Sequence, residues 1–144
     1  MKSMAKKFCH LIGGKEVASP KTFLSKNSSN LSEVLGEFPE ATKDQVREAC
    51  KVARDAFVEW GKTPAPVRGE VIGNIGKAIE REKESLSKLL TREMGKTLRE
   101  ARGDVQEAID TCHFFQSEGR RLYGQTVPSE MRNKDLMTYR RPVG

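Results

Sequence analysis

Three kinds of hydrophobic spacing follow one another along the chain. Up to about residue 40, apolar side chains come in short groups between turn formers, the spacing of short strands. Leu11-Ile12 and Glu16-Val17 flank Gly13-Gly14, a dipeptide suited to a hairpin because both glycines tolerate positive φ. Thr22-Phe23-Leu24 and Glu33-Val34-Leu35 are predicted as two further strands, joined by a polar loop over 25–30 and closed by Pro39.

From Thr42 the spacing changes to three and four. Thr42-Lys43-Asp44-Gln45 has the form of a capping box, in which the Thr and Gln side chains satisfy backbone N–H groups at a helix start. Val46, Ala49, Cys50, Ala53, Phe57 and Trp60 then mark one face predicted to be buried, and Gly61 suits the position that ends the helix. A second helical stretch begins near Pro64 and carries Val67, Val71, Ile75, Ala78 and Ile79; Leu86, Leu89 and Leu90 resume the pattern out of phase, which predicts a kink or two helices. Gly69, Gly73 and Gly76 each cost about 1 kcal/mol relative to alanine inside a helix, so their expected use is close approach of another element. Thr97-Leu98-Arg99-Glu100 is a second capping box. It opens a helix with Leu98, Ala101, Val105, Ala108, Ile109, Cys112, Phe115 and Leu122 on one side, predicted to end at Gly124. Thr126-Val127 and the segment 136–141 are predicted as strands around a polar loop.

These elements make a mainly helical α+β chain of one domain over 1–144: strands and turns at 1–40, amphipathic helices at 41–124 and an extended hairpin at 125–144. The net charge of +6 and pI of 9.3 invite a nucleic-acid reading. Residues 1–30 hold six Lys/Arg against one acid, whereas residues 31–60 hold four against seven. The basicity therefore sits in the N-terminal arm and not on a helical stripe, which argues against a nucleic-acid module. No run approaches the ~18 apolar residues of a membrane helix, and the N-terminal pattern lacks the features of a secretory signal.

Cys9, Cys50 and Cys112 are odd in number without CxxC spacing, which points to free thiols in a reducing, cytoplasmic compartment. Cys112 lies on the apolar stripe and is expected to be buried and inert. Gly-Lys-Thr occurs at 61–63 and 95–97, but the glycine that a phosphate loop needs five residues earlier is Ala56 in one case and Leu90 in the other. Both copies read as helix ends, and the residues contain no complete catalytic set.

Several strings in order resemble one family. Glu93-Met94-Gly95-Lys96-Thr97-Leu98-Arg99-Glu100-Ala101-Arg102-Gly103-Asp104-Val105, after Leu89-Leu90-Thr91, is similar to the N-terminal part of the NAD(P)-dependent aldehyde dehydrogenases. The resemblance extends to Ile12-Gly13-Gly14, to Ala56-Phe57-Val58-Glu59-Trp60 and to Tyr139-Arg140-Arg141-Pro142-Val143-Gly144, so it covers nearly the whole chain. It implies the N-terminal part of the aldehyde dehydrogenase α/β fold. The parent reaction would be oxidation of an aldehyde to a carboxylic acid with hydride passing to NAD or NADP. In the family the nucleophilic cysteine, the general base and the cofactor-binding residues lie beyond the segment matched here. The resemblance therefore assigns no catalytic or cofactor-binding residue to this chain, and none of its three cysteines takes the nucleophile's place.

Two peripheral sites follow from the resemblance. Glu107 is similar to a position lining the aldehyde entrance, with a plain surface carboxylate as the alternative. Glu93, with backbone carbonyls near Ser25 and Lys26, resembles a monovalent-cation site, with a plain helix-end carboxylate as the alternative; hard cations prefer such oxygen ligands. The chain departs from the family after Asn27, where Ser28-Ser29-Asn30-Leu31 replaces a proline-containing turn. The expectation is a truncated product or a fragment of a split dehydrogenase, inactive alone, whose partner is the missing remainder or a homologous subunit, with a homo-oligomer as a further outcome. The alternative is a stand-alone interaction module pairing with a full-length homologue through 136–141. Without such cover, the faces carrying Ile75 and Ile79, or Ile109 and Phe115, are expected to lose burial.

Overall fold

The structure is a computed structural model that describes residues 6–144. The first five residues of the basic arm lie outside the described residues. The predicted first hairpin is present: β1 (His10–Ile12) pairs antiparallel with β2 (Lys15–Val17), and Gly13 and Gly14 turn the chain at φ +59° and +75°. Two successive positive φ values are what a tight hairpin turn with right-handed strand twist requires.

The second ribbon is longer than the side-chain pattern implied. β3 (Lys21–Asn27) and β4 (Asn30–Glu40) leave only Ser28-Ser29 as the turn, in place of a loop over 25–30. Pro39 does not close the region; it pairs with Thr22 inside β4. A two-stranded ribbon has an outer edge on each strand, where a residue without an N–H is tolerated. The polar stretch 25–27 stays extended because the ladder is made by backbone groups, helped by Asn27 donating its Nδ2 to Glu33 at 2.6 Å. Residues 6–8 add a short parallel bridge unforeseen from the sequence, with the Phe8 N–H on the Glu37 carbonyl and the Glu37 N–H on the Lys6 carbonyl, each at 2.9 Å. That bridge stacks Phe8 on Phe38 at a centroid distance of 4.6 Å, over the buried Gly36.

α1 (Lys43–Trp60) starts at the predicted capping box, but its apolar face is not buried. No residue of α1 is buried, and Val46 and Trp60 are 51% and 41% exposed. The helix touches the first hairpin and its flank through its N-terminal half, where the Gln45 side chain donates to the Ala18 carbonyl at 2.7 Å, and at mid-helix, where Val52 lies against Gly13. Amphipathic spacing licenses burial, but only a facing element supplies it. Gly61 ends α1 in right-handed geometry, with its N–H returning to the Phe57 carbonyl at 2.7 Å.

The remaining helices carry the core. α2 (Ala65–Arg81) and α3 (Lys83–Met94) are separated at Glu82, whose φ of −100° and ψ of 11° break the helix where the apolar phase changed. α4 (Leu98–Glu118) packs along α2 and α3 and buries Ala101, Val105 and Ile109, with Ser87 of α3 fully enclosed beside them. The three glycines of α2 are all buried against α4. A Cβ on Gly69 would lie 2.5 Å from the Gln116 carbonyl oxygen, one on Gly73 would meet the Gln116 side chain, and one on Gly76 would lie 2.8 Å from the Cys112 Cβ.

α4 stops at Glu118 and not at Gly124. Gly119 lies against the Ala65 carbonyl, where a Cβ would come within 2.5 Å, and the chain leaves the helix there to pass the start of α2. Leu122 is therefore off the helical face and 45% exposed. The C-terminal hairpin is present but short, with β5 (Thr126–Val127) on β6 (Leu136–Met137); 138–141 continue outside the ladder. Of the four residues expected to lose burial, Ile75 and Phe115 are 50% and 51% exposed, but Ile79 is half-buried and Ile109 is 2% exposed where α4 packs on α2 and α3.

Polar pairs fasten α3 to α4. Arg102 donates to both oxygens of Glu84, Nε at 3.0 Å and Nη2 at 2.7 Å, and Lys83 reaches Gln106 at 2.5 Å. The Arg102 hydrogen bonds hold the Glu84 carboxyl below the ordinary carboxylate value and raise the guanidinium in turn.

Two measurements test this packing. Gly69→Ala should destabilise the chain by about 1–3 kcal/mol in urea melts, since its neighbour is backbone and cannot step aside. Gly103→Ala, on open α4 surface, should instead stabilise by about 0.5–1 kcal/mol. If the two variants melt alike, the close approach is not what the α2 glycines serve. Second, Glu84, Glu33 and Glu100 all have folded-state pKa values below their unfolded ones, so the folded chain binds fewer protons. Their stabilisation is present above the unfolded carboxylate range and is lost as pH falls through the folded values. The melting temperature should drop on acidification below about pH 4.5, and Glu84→Gln should flatten that drop; a parallel curve would remove Glu84 from the account.

Candidate functional site

Glu107 stands exposed on α4. At 100° per residue it points away from the Ala101, Val105 and Ile109 face, so nothing in the helical core constrains it. Its neighbour Gln106 is tied to Lys83 and to Asp110, the latter at 2.9 Å.

Ser25, Lys26 and Glu93 belong to elements that meet at one corner. The tip of the β3–β4 ribbon docks on the end of α3, where the Ser28 N–H donates to the Arg92 carbonyl at 3.1 Å and Arg92 pairs with Glu33. Hydrogen bonds from Asn27 and then Arg92 hold the Glu33 carboxyl below the usual range. The β3–β4 register slips between Ser25 and Lys26 and again between Lys26 and Asn27. Glu93 itself is exposed and lines a groove of about 440 Å³ beside Leu90, Asp104 and Val105. The apolar walls of that groove are Ile79, Leu86 and Leu89.

The Gly-Lys-Thr copies are helix ends, as their spacing implied. Lys62 pairs back to Glu59 at 2.8 Å, while Gly95 caps α3 at φ +76° and Lys96 pairs with Asp104. Neither lysine is free to follow a phosphate. Cys9 and Cys50 are exposed, and Cys112 is half-buried against Gly76, not fully enclosed. Among the described residues, no group of three or more His, Cys, Asp or Glu side chains converges.

The structure also assembles a cluster that the sequence reading did not. Arg68, Arg120 and Arg140 line one hollow of about 540 Å³ at the start of α2. They come from α2, the turn after α4 and the C-terminal tail, with no periodicity linking them, so only the fold brings them together.

Comparison with known proteins gives this architecture its context. The chain matches the Aldehyde dehydrogenase family over residues 16–144. It is 35% identical over 133 residues to aldehyde dehydrogenase family 7 member A1 of Pisum sativum, covering 92% of this chain and 26% of that one. Malonate-semialdehyde dehydrogenase 1 of Shouchella clausii is 33% identical over 141 residues, 96% of this chain and 28% of that protein. Among solved structures, an NAD-dependent aldehyde dehydrogenase from Sinorhizobium meliloti superposes with a TM-score of 0.89 at 26% identity, covering 96% of this chain and 28% of its own. An NAD-dependent benzaldehyde dehydrogenase from Corynebacterium glutamicum gives 0.82 at 28% identity, with 91% and 29% coverage. The chain thus spans about a quarter of the length of the relatives it matches. With a family match over most of its residues and the corresponding part of the dehydrogenase architecture, the chain belongs to the aldehyde dehydrogenase family.

Proposed function

We propose that this chain is the N-terminal segment of an NAD(P)-dependent aldehyde dehydrogenase and that it carries out no aldehyde oxidation by itself. The observation behind this reading is the contrast between a family match over 16–144 and coverage of only about a quarter of each relative. The complete reaction is oxidation of an aldehyde to a carboxylic acid through a covalent thiohemiacetal and thioester, with hydride transferred to NAD or NADP. The nucleophile, base and cofactor pocket are contributed by the remainder of the polypeptide or a homologous subunit. The relatives named above act on different aldehydes, so the substrate class stays at the level of aldehydes. Glu107, exposed on α4, biases the entrance toward polar or cationic aldehydes in the assembled enzyme. A reducing cytoplasmic compartment fits the exposed thiols of Cys9 and Cys50.

A monovalent cation held by the Ser25 and Lys26 carbonyls with Glu93 belongs to the same reading. It is supported by the interrupted ladder on either side of Lys26, where strand carbonyls become available to a ligand, and by the docking of the ribbon tip on the α3 terminus.

Two assays follow. The purified chain, given NAD or NADP and a panel of aldehydes, should produce no NAD(P)H above buffer; turnover that co-purifies with the chain through successive columns would refute inactivity. Replacing sodium or potassium chloride by choline chloride at constant ionic strength should lower the melting temperature. An unchanged melt would delete the cation site.

A further inference from the structure

We propose that the hollow at the start of α2 is a binding site for a phosphate dianion, free or as the phosphomonoester of a small molecule, held by Arg68, Arg120 and Arg140. This goes beyond the dehydrogenase reading and stands or falls independently of it.

Three arginines line the hollow with no acidic residue beside them among the described residues, and its volume of about 540 Å³ exceeds what one phosphate group needs. Like charges gather at a cost unless an anion joins them. Arg68 supplies the sharpest sign. Its Nε is buried and meets no hydrogen-bond acceptor, so the half-buried cation is incompletely compensated by the protein, and an anion in the hollow would balance its charge. Arg140 is oriented from behind: its Nε donates to the Tyr123 carbonyl at 3.2 Å, so the side chain is held beside the hollow. Arg120 has only a long contact with Glu70, 3.8 Å between two largely exposed side chains, which water screens and an incoming anion can replace. By contrast Arg121 is committed to Glu118 and takes no part.

The backbone adds to the same field. Ala65 and Pro66, the first residues of α2, line the hollow, and this helix start has neither a side-chain cap nor an acid in its first turn. Pro66 has no N–H, and the Val67 and Arg68 N–H groups already donate to the Pro64 carbonyl, so this helix start contributes through its dipole and not through a cradle of free N–H groups. Guanidinium forks match carboxylate and phosphate alike, but three of them beside a helix N-terminus favour the dianion over a single negative charge.

Calorimetric titration of the chain with inorganic phosphate, at ionic strength held constant with sodium chloride, tests this. Glycerol phosphate and acetate serve as the phosphomonoester and carboxylate arms. Phosphate should bind saturably and one to one, and acetate should bind more weakly. Arg68→Gln should lower phosphate affinity at least about tenfold, the loss expected for a hydrogen bond between charged groups. Arg120→Gln and Arg140→Gln, at more exposed positions, should each weaken binding and keep the test valid if Arg68→Gln fails to fold. Arg99→Gln, exposed on α4 and outside the hollow, should change nothing. Glycerol phosphate binding as well as phosphate would identify a monoester site, and its failure a site for the free ion. Absence of saturable phosphate binding, equal binding of acetate, or affinity unchanged in Arg120→Gln and Arg140→Gln would overturn the proposal.

Discussion

The approach of α2 to α4 is the constraint on which the remainder of the chain depends. Gly69, Gly73 and Gly76 remove side chains from one flank of α2, and α4 fills that space with Gln116 and Cys112. Glycine is unfavourable within a helix, so the interface must return more in packing than the helix loses in propensity. Once the two axes are this close, Gly119 meets the Ala65 carbonyl and α4 cannot continue past the start of α2. Arg120 and the tail carrying Arg140 lie beyond that stop and line one hollow with Arg68 at the start of α2.

A second consequence is the small size of the core. Only Ala101, Val105 and Ile109 are buried apolar residues among those described, while large side chains such as Val46, Ile75 and Phe115 stay about half exposed. Full burial of each would contribute about 1.5–3 kcal/mol, so a good deal of the hydrophobic stabilisation encoded in the helices is unrealised in this chain. Of the polar fastening between α3 and α4, the exposed Arg102–Glu84 pair adds little in water, whereas the Lys83–Gln106 bond is partly buried. The relatives of the same family are about four times as long as this chain.

The sequence was legible wherever the governing interaction is local. Both capping boxes, at Thr42 and Thr97, involve residues three apart, and both form. The Gly13-Gly14 turn, the break near Glu82 and the use of glycine for close approach were likewise readable from short windows. Errors came where a distant partner decides. The apolar stripe of α1 was real but had nothing facing it; the end of α4 was set by α2 and not by Gly124; and the β3–β4 ladder ran through polar residues and Pro39 because backbone pairing does not require apolar side chains. Among the candidate site residues, Glu107 is where helical phase puts it, whereas the meeting of the ribbon tip with α3 depends on Ser28 and Arg92, which no motif singled out.

The amino-acid order by itself determined which segments are helical, where most helices begin, and the family, since caps, periodicity and consecutive motif strings are properties of neighbouring residues. Tertiary structure alone decided which apolar faces are covered and which charges become neighbours. Burial and electrostatic clustering depend on distances between segments remote in sequence, and those distances exist only after α2 and α4 have packed. The three arginines around one hollow illustrate the difference: unremarkable at 68, 120 and 140 along the chain, they line the same space once α2, the turn after α4 and the tail come together.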